Sequence, residues 1–171
     1  VALNVKPGDE ILVADLTFPA TANIVIQLGA IPICVDIDPV TFGIDINDMK
    51  SKITEKTVGI IPVDTFGLCC DIKNIIEVAN KHNLFVIQDS ACSLGSTFDG
   101  VQVGNYADTT CFSFHPRKSI TTGEGGMLLT DNDEIAEKVK TISGKGGTPL
   151  VVSENEKIIG VIELQDIIKP G

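Results

Sequence analysis

Positive charge is scarce in this chain. Its 171 residues carry 13 Lys and Arg against 23 Asp and Glu, a formal net charge of -10. A phosphate backbone needs a basic face, so neither nucleic acid nor an anionic membrane surface is an expected partner. An anionic ligand would have to be gripped locally, by a few donors in a cleft. Long apolar runs are also lacking. None reaches the length of a bilayer span, and the opening residues soon meet Pro7, Gly8 and Asp9 instead of a signal-peptide core. The expectation is a soluble, cytoplasmic protein. Histidine is rare: His82 and His115 are the two present, and they do not cluster with cysteine, so no metal site is expected. The five cysteines include no C-x-x-C pair, and adjacent Cys69 and Cys70 do not read as a disulfide framework. They are expected to be buried free thiols.

What is present is a regular alternation of apolar segments. Hydrophobic residues make up 43% of the chain, enough for a real core. Strands are predicted at 11–14, 31–35, 58–63, 84–87, 109–114 and 126–130. Helices are predicted after Pro19 and at 47–53, 71–82 and 131–142. In the third helix Ile72, Ile75, Ile76 and Ala79 fall at i, i+3, i+4 and i+7. In the fourth, Glu134 follows Asp131 by three residues, a capping-box-like start. Strands that are apolar without alternation are buried on both faces, so the expected class is α/β, with a mainly parallel sheet between helix layers. Ligands in such sheets bind beyond the carboxyl ends of the strands. The residues to inspect are therefore Asp64, Asp89 and the segment after Phe114.

Three motifs lie at such places. SFHPRKSITTGEGG (113–126) leaves a strand, carries Lys118 in a loop and returns through a Gly-rich turn. A lone loop lysine can be a solvated charge. It can equally be an amine held at a fixed point for Schiff-base chemistry, with glycines letting backbone approach a ligand. VIQDSACSLGS (86–96) places Asp89 directly after a buried strand. Such an aspartate serves as a cap or turn residue, or as the carboxylate that keeps a ring nitrogen protonated. TFPATAN (17–23) sets Phe18 before a helix, either as a staple in the core or as a flat face for a cofactor ring.

Taken in this order, with PGDEI at 7–11, the run at 29–39 and IPVDTFGLCCDI at 61–72, these motifs resemble the DegT/StrS-type sugar aminotransferases among the fold-type I pyridoxal-phosphate (PLP) enzymes. The resemblance spans residues 2–142. It implies a partial large domain at 1–142, with Lys118 as the catalytic Schiff-base lysine, Asp89 as the pyridinium partner, Phe18 stacked on the ring and Ser113 on the cofactor phosphate. A lysine at position 118 implies transamination, because relatives with histidine there are sugar dehydratases. Cys92 stands where the family commonly has a glutamine or histidine that contacts the cofactor, and a thiol is a poor hydrogen-bond partner. Asp64 stands where histidine is common. In the family, a Ser-Gly-Thr loop that cradles the phosphate precedes this region, and a small domain follows it. The implied activity is PLP-dependent transamination of a nucleotide-linked keto sugar by an amino-acid donor, in sugar or cell-surface polysaccharide biosynthesis, by a homodimer.

The tail departs from that pattern. KGGTPLVVSENEKIIGVIELQDIIKPG (145–171) reads as a β-hairpin, with Leu150 to Val152 and Ile158 to Leu164 flanking a polar turn. It resembles the end of the nucleotide-binding domain of the potassium-transporting P-type ATPase B subunit, which implies a segment of different origin at 143–171. The alternative to the enzyme is therefore a non-catalytic truncated or chimeric fragment carrying a tail from an ATP-binding cation transporter.

Overall fold

The computed structural model describes residues 2–143, 152–154 and 157–160. Six strands form one sheet in the order β2-β1-β3-β4-β7-β8, with β1 Glu10–Ala14, β2 Ile31–Val35, β3 Thr57–Ile61, β4 Phe85–Asp89, β7 Thr109–Ser113 and β8 Gly126–Leu129. Every pairing among the first five is parallel, and β8 closes the edge antiparallel to β7. The expected mainly parallel α/β sheet is therefore present. Between β4 and β7 lies a small hairpin, β5 Thr97–Phe98 and β6 Val101–Gln102, that the strand patterns did not predict. Its signal was the Asp99-Gly100 pair, both at positive φ as a tight two-residue hairpin turn demands.

Helices α1 Ala20–Gln27, α2 Ile46–Ser51 and α3 Ile72–His82 connect the parallel strands. The chain steps from β1 to β2, then crosses back over β1 to reach β3. That reversal sends the connecting helices to opposite faces. Leu12, Ile60 and Val86 face one way and pack with Met49 of α2 and Ile72, Ile75, Val78 and Ala79 of α3. Ile11, Val13 and Ile61 face the other way, against Val25 of α1. Ile76, expected on the buried stripe of α3, is only partly buried, and Val78 takes the deeper place.

Local chemistry sets the helix ends. The Asp45 carboxylate accepts from the N–H groups of Asn47 and Asp48 and starts α2. Asn83 ends α3 in the left-handed conformation with φ 55. The fourth helix, α4 Asp133–Ser143, begins later than expected. Its cap is Asn132, whose Oδ1 accepts from the N–H of Glu134 at 2.9 Å and of Ile135 at 3.2 Å, and not Asp131. Two further strands, β9 Val152–Glu154 and β10 Lys157–Gly160, pair antiparallel, as the arms of the expected hairpin should. Ser153 and Glu154, expected in its turn, belong to β9. Leu150, Val151 and residues 161–164 of the expected arms lie outside the described residues.

Candidate active site

The reversal of direction at β1 creates a crevice between the carboxyl ends of β1 and β3, the place where open α/β sheets bind ligands. Asp89 is the last residue of β4, as the strand-end rule required. It lies on the α1 face, in step with Phe85 and Ile87. Its Oδ2 accepts from the Thr21 hydroxyl of α1 at 2.9 Å, and its Oδ1 accepts from the N–H of Ala91 at 3.2 Å. Thr21, in turn, shares a 2.8 Å hydroxyl contact with Thr17. Neither threonine was singled out from the sequence, although both sit inside the TFPATAN motif. The signal was a hydroxyl one turn into a helix that opens at a strand end.

Beside Asp89 in register stands Cys111 of β7. Burial, and then the nearby negative charge of Asp89, push its thiol up to about 12. It therefore stays protonated and acts as a small apolar wall. Ser113, two residues further on the same face, ends β7, and its Oγ accepts from the N–H of His115 at 3.3 Å. The hydroxyl hydrogen remains available to a ligand.

Lys118 sits in the loop 114–125 between β7 and β8. The loop is stitched shut by Phe114 N–H to Gly125 C=O, Thr122 N–H to Phe114 C=O and Lys118 N–H to His115 C=O. Gly126 begins β8, where an added Cβ would lie 2.8 Å from the Phe112 carbonyl oxygen, so only glycine allows this return. Lys118 Nζ lies 3.1 Å from Cys92 Sγ, on the loop that follows Asp89. Among the described residues Lys118 forms no ion pair. A thiol is a weak acceptor, so this contact leaves the amine's hydrogen-bonding capacity largely open to a ligand. The structure thus brings Lys118 and Cys92 together and sets Asp89 at the root of the same loop. Phe18 stands apart, 73% exposed, just before α1, with no ring stacked on it among the described residues.

The opposite face of β4 is dry. Asp64, just past β3, is 1% exposed, and Gln88, Ser90 and Ser93 are fully buried around it. The loop from Asp64 to Cys70 turns through Phe66 at φ 58 and Gly67 at φ 87. It lies so close to the next loop that an added Cβ on Gly67 would sit 3.2 Å from the Cys92 carbonyl oxygen. Of this group only Asp64 drew notice from the sequence. Gln88, Ser90 and Ser93 carry no signal of their own beyond proximity to Asp89.

The mainly parallel sheet thus gathers near one end a half-buried strand-end carboxylate, an amine without a carboxylate partner among the described residues, a strand-end hydroxyl and an exposed aromatic face. The comparisons with known proteins go one step further. Residues 1–160 match the DegT/DnrJ/EryC1/StrS aminotransferase family, and the chain belongs to that family. The match extends past residue 142 and includes both strands of the β9–β10 hairpin. The chain is 45% identical over 149 residues to the GDP-perosamine synthase of Caulobacter vibrioides, covering 87% of this chain and 40% of that protein. It is 40% identical over 147 residues to the UDP-2-acetamido-2-deoxy-3-oxo-D-glucuronate aminotransferase of Pseudomonas aeruginosa, covering 85% of this chain and 41% of that one. Among solved structures it resembles the aminotransferase from Psychrobacter cryohalolentis, with TM-score 0.82 and 36% identity over 86% of this chain and 38% of that one. It also resembles ntda from Bacillus subtilis with bound cofactor PMP, with TM-score 0.78 and 38% identity over 94% of this chain and 36% of that one. The chain spans about two fifths of the length of these curated relatives. No described helix is long and apolar enough to cross a membrane.

Proposed function

We propose that this protein takes part in PLP-dependent transfer of an amino group from an amino acid to a keto sugar linked to a nucleotide, in the making of sugars for surface polysaccharides. The observation that carries the reading is Lys118, an amine with no carboxylate partner among the described residues, lying against the loop that begins at Asp89. The relatives named for GDP- and UDP-linked sugars support the substrate class.

The residues present fit the cofactor. Among the described residues Asp89 accepts from two donors, Thr21 and the Ala91 N–H, and so keeps acceptor capacity for a protonated ring nitrogen. Phe18 offers an uncovered ring face, Ser113 a hydroxyl for the phosphate, and Cys92 a contact at the ring edge. When bound, PLP supplies an electron sink for the carbon that exchanges its amino group. Lys118 would hold the cofactor through Nζ and would serve as the general base that takes and returns a proton. Thr21 and the Ala91 N–H hold the Asp89 carboxylate in place.

Borohydride treatment of the protein with PLP should fix the cofactor on Lys118, seen as a labelled peptide by mass spectrometry. Lys118→Ala should lose both the label and the visible absorbance. Asp89→Asn should still be labelled at saturating PLP but lose most turnover, because the shape is kept while the charge is removed. Label on Lys81 or Lys145 instead, or full turnover in Asp89→Asn, would rule this function out.

A further inference from the structure

The buried carboxylate of Asp64 has no assigned task. Such a charge is costly away from water unless its lone pairs are met. Here they are met by neutral groups. Oδ1 accepts from the Cys70 N–H at 3.0 Å and from Gln88 Nε2 at 3.2 Å. Oδ2 accepts from Gln88 Nε2 at 3.0 Å and from the Ser90 hydroxyl at 2.6 Å. The backbone joins in. The Asp64 N–H donates to the Asp89 carbonyl, and the Asp64 carbonyl accepts from the Ser93 hydroxyl at 3.0 Å.

These contacts have a pattern. Gln88 and Ser90 are the two neighbours of Asp89 in sequence, and one carboxylate grips both. Side chains alternate along a strand. Holding Gln88 and Ser90 on the dry face therefore forces Asp89 onto the α1 face, toward Thr21. Ser93 fixes the far side of the loop, and Cys92 is carried between them. A cation site is the competing reading, since Asp64, Cys69 and Cys70 present ligand atoms within 4.8 Å of one another. The carboxylate oxygens are already filled by N–H and O–H donors from Cys70, Gln88 and Ser90, which a cation would have to displace.

We propose that Asp64 is a positioning residue, which sets the direction of the Asp89 carboxylate and the place of Cys92 by clamping the residues on either side of Asp89. The proposal rests on the reading of Asp89 and Lys118 as cofactor residues, and its test separates the two. PLP binding, followed by visible absorbance, is measured for the parent, Asp64→Asn, Asp89→Asn and the double variant. Asn at position 64 turns an amide NH2 toward donors that expect an acceptor. Each single variant should weaken binding about tenfold, and the double variant should be no weaker than either single, because coupled groups are not additive. A double variant weakened by the product of the two would overturn the proposal, as would Asp64→Asn binding like the parent. If Asp64→Asn does not fold, Ser90→Ala removes one donor and keeps the carboxylate. It should weaken binding about threefold, again without adding to Asp89→Asn.

If the parent itself does not bind PLP, the function proposed above falls, and a second readout still decides the role of Asp64. Iodoacetamide modification of Cys92 should change at least about fivefold in rate in Asp64→Asn while exposed Cys34, which touches nothing in this network, keeps its rate. An unchanged Cys92 rate would overturn the clamp.

Discussion

At the scale of single residues the site is organised by hydrogen bonds to one carboxylate on each side of β4. On the α1 face, Thr21 is 4% exposed and its hydroxyl is shared between Asp89 and Thr17. Thr21→Val keeps the shape and removes the donor. A hydrogen bond to a charged group contributes about 1.5–3 kcal/mol, so urea unfolding should show a loss of roughly that size. A variant as stable as the parent would mean that the hydroxyl is not bonded to Asp89. Much of this was legible. Asp89, Ser113 and Lys118 follow from strand ends and from the family motifs, whereas Thr21, Gln88, Ser90 and Ser93 do not. Their parts depend on which face of a strand or helix turns toward which neighbour. That is fixed by the sheet order, and no local pattern encodes it.

At the scale of elements, strand and helix positions follow from apolar runs, and the errors collect at the ends. The continuous run of β3 stops at Ile61 although the apolar residues continue through Pro62 and Val63, because proline has no N–H to give the ladder, and Val63 rejoins the sheet by a parallel bridge to Asp89. The start of α4 moved because Asn132, and not Asp131, reaches the free N–H groups of the first turn. Packing between adjacent strands is tighter than composition reveals. Gly59 of β3 faces Phe85 of β4 in register, and an added Cβ would lie 2.1 Å from the phenyl ring. Gly59→Ala should therefore destabilise the protein by about 1–3 kcal/mol, the range for overpacking. Adding Phe85→Leu should recover part of the loss, measured as a rise in the urea midpoint of the double variant over Gly59→Ala. No recovery would place the strain elsewhere.

At the scale of the whole molecule, the two faces of the sheet differ in what they hold. The α2–α3 face encloses the larger core and the Asp64 network. The α1 face holds Asp89, Cys111 and Ser113, each only partly covered. The enclosure of thiols on both faces has a pH consequence. An unfolded thiol ionises near pH 8.5, while Cys111 in the fold is raised to about 12. Below the unfolded value both states keep the proton, so stability does not depend on pH through this group. Above it only the unfolded chain loses the proton, and stability falls until the folded value is reached. The slope contributed by one thiol is at most about 1.4 kcal/mol per pH unit. Cys70, raised in the same direction, adds to the fall. Unfolding measured between about pH 8 and 10 should steepen accordingly, and Cys111→Ala should flatten it by one proton. An unchanged slope would show that Cys111 ionises as freely in the fold as outside it. The segment Gln88-Asp89-Ser90 has a further consequence, for inheritance. Because chemistry and cohesion occupy alternate positions there, base changes can alter one while sparing the other. Insertion or loss of a single codon within β4 would exchange the two faces for the residues beyond it, so lineages carrying this gene should accumulate point substitutions in that strand but keep its length.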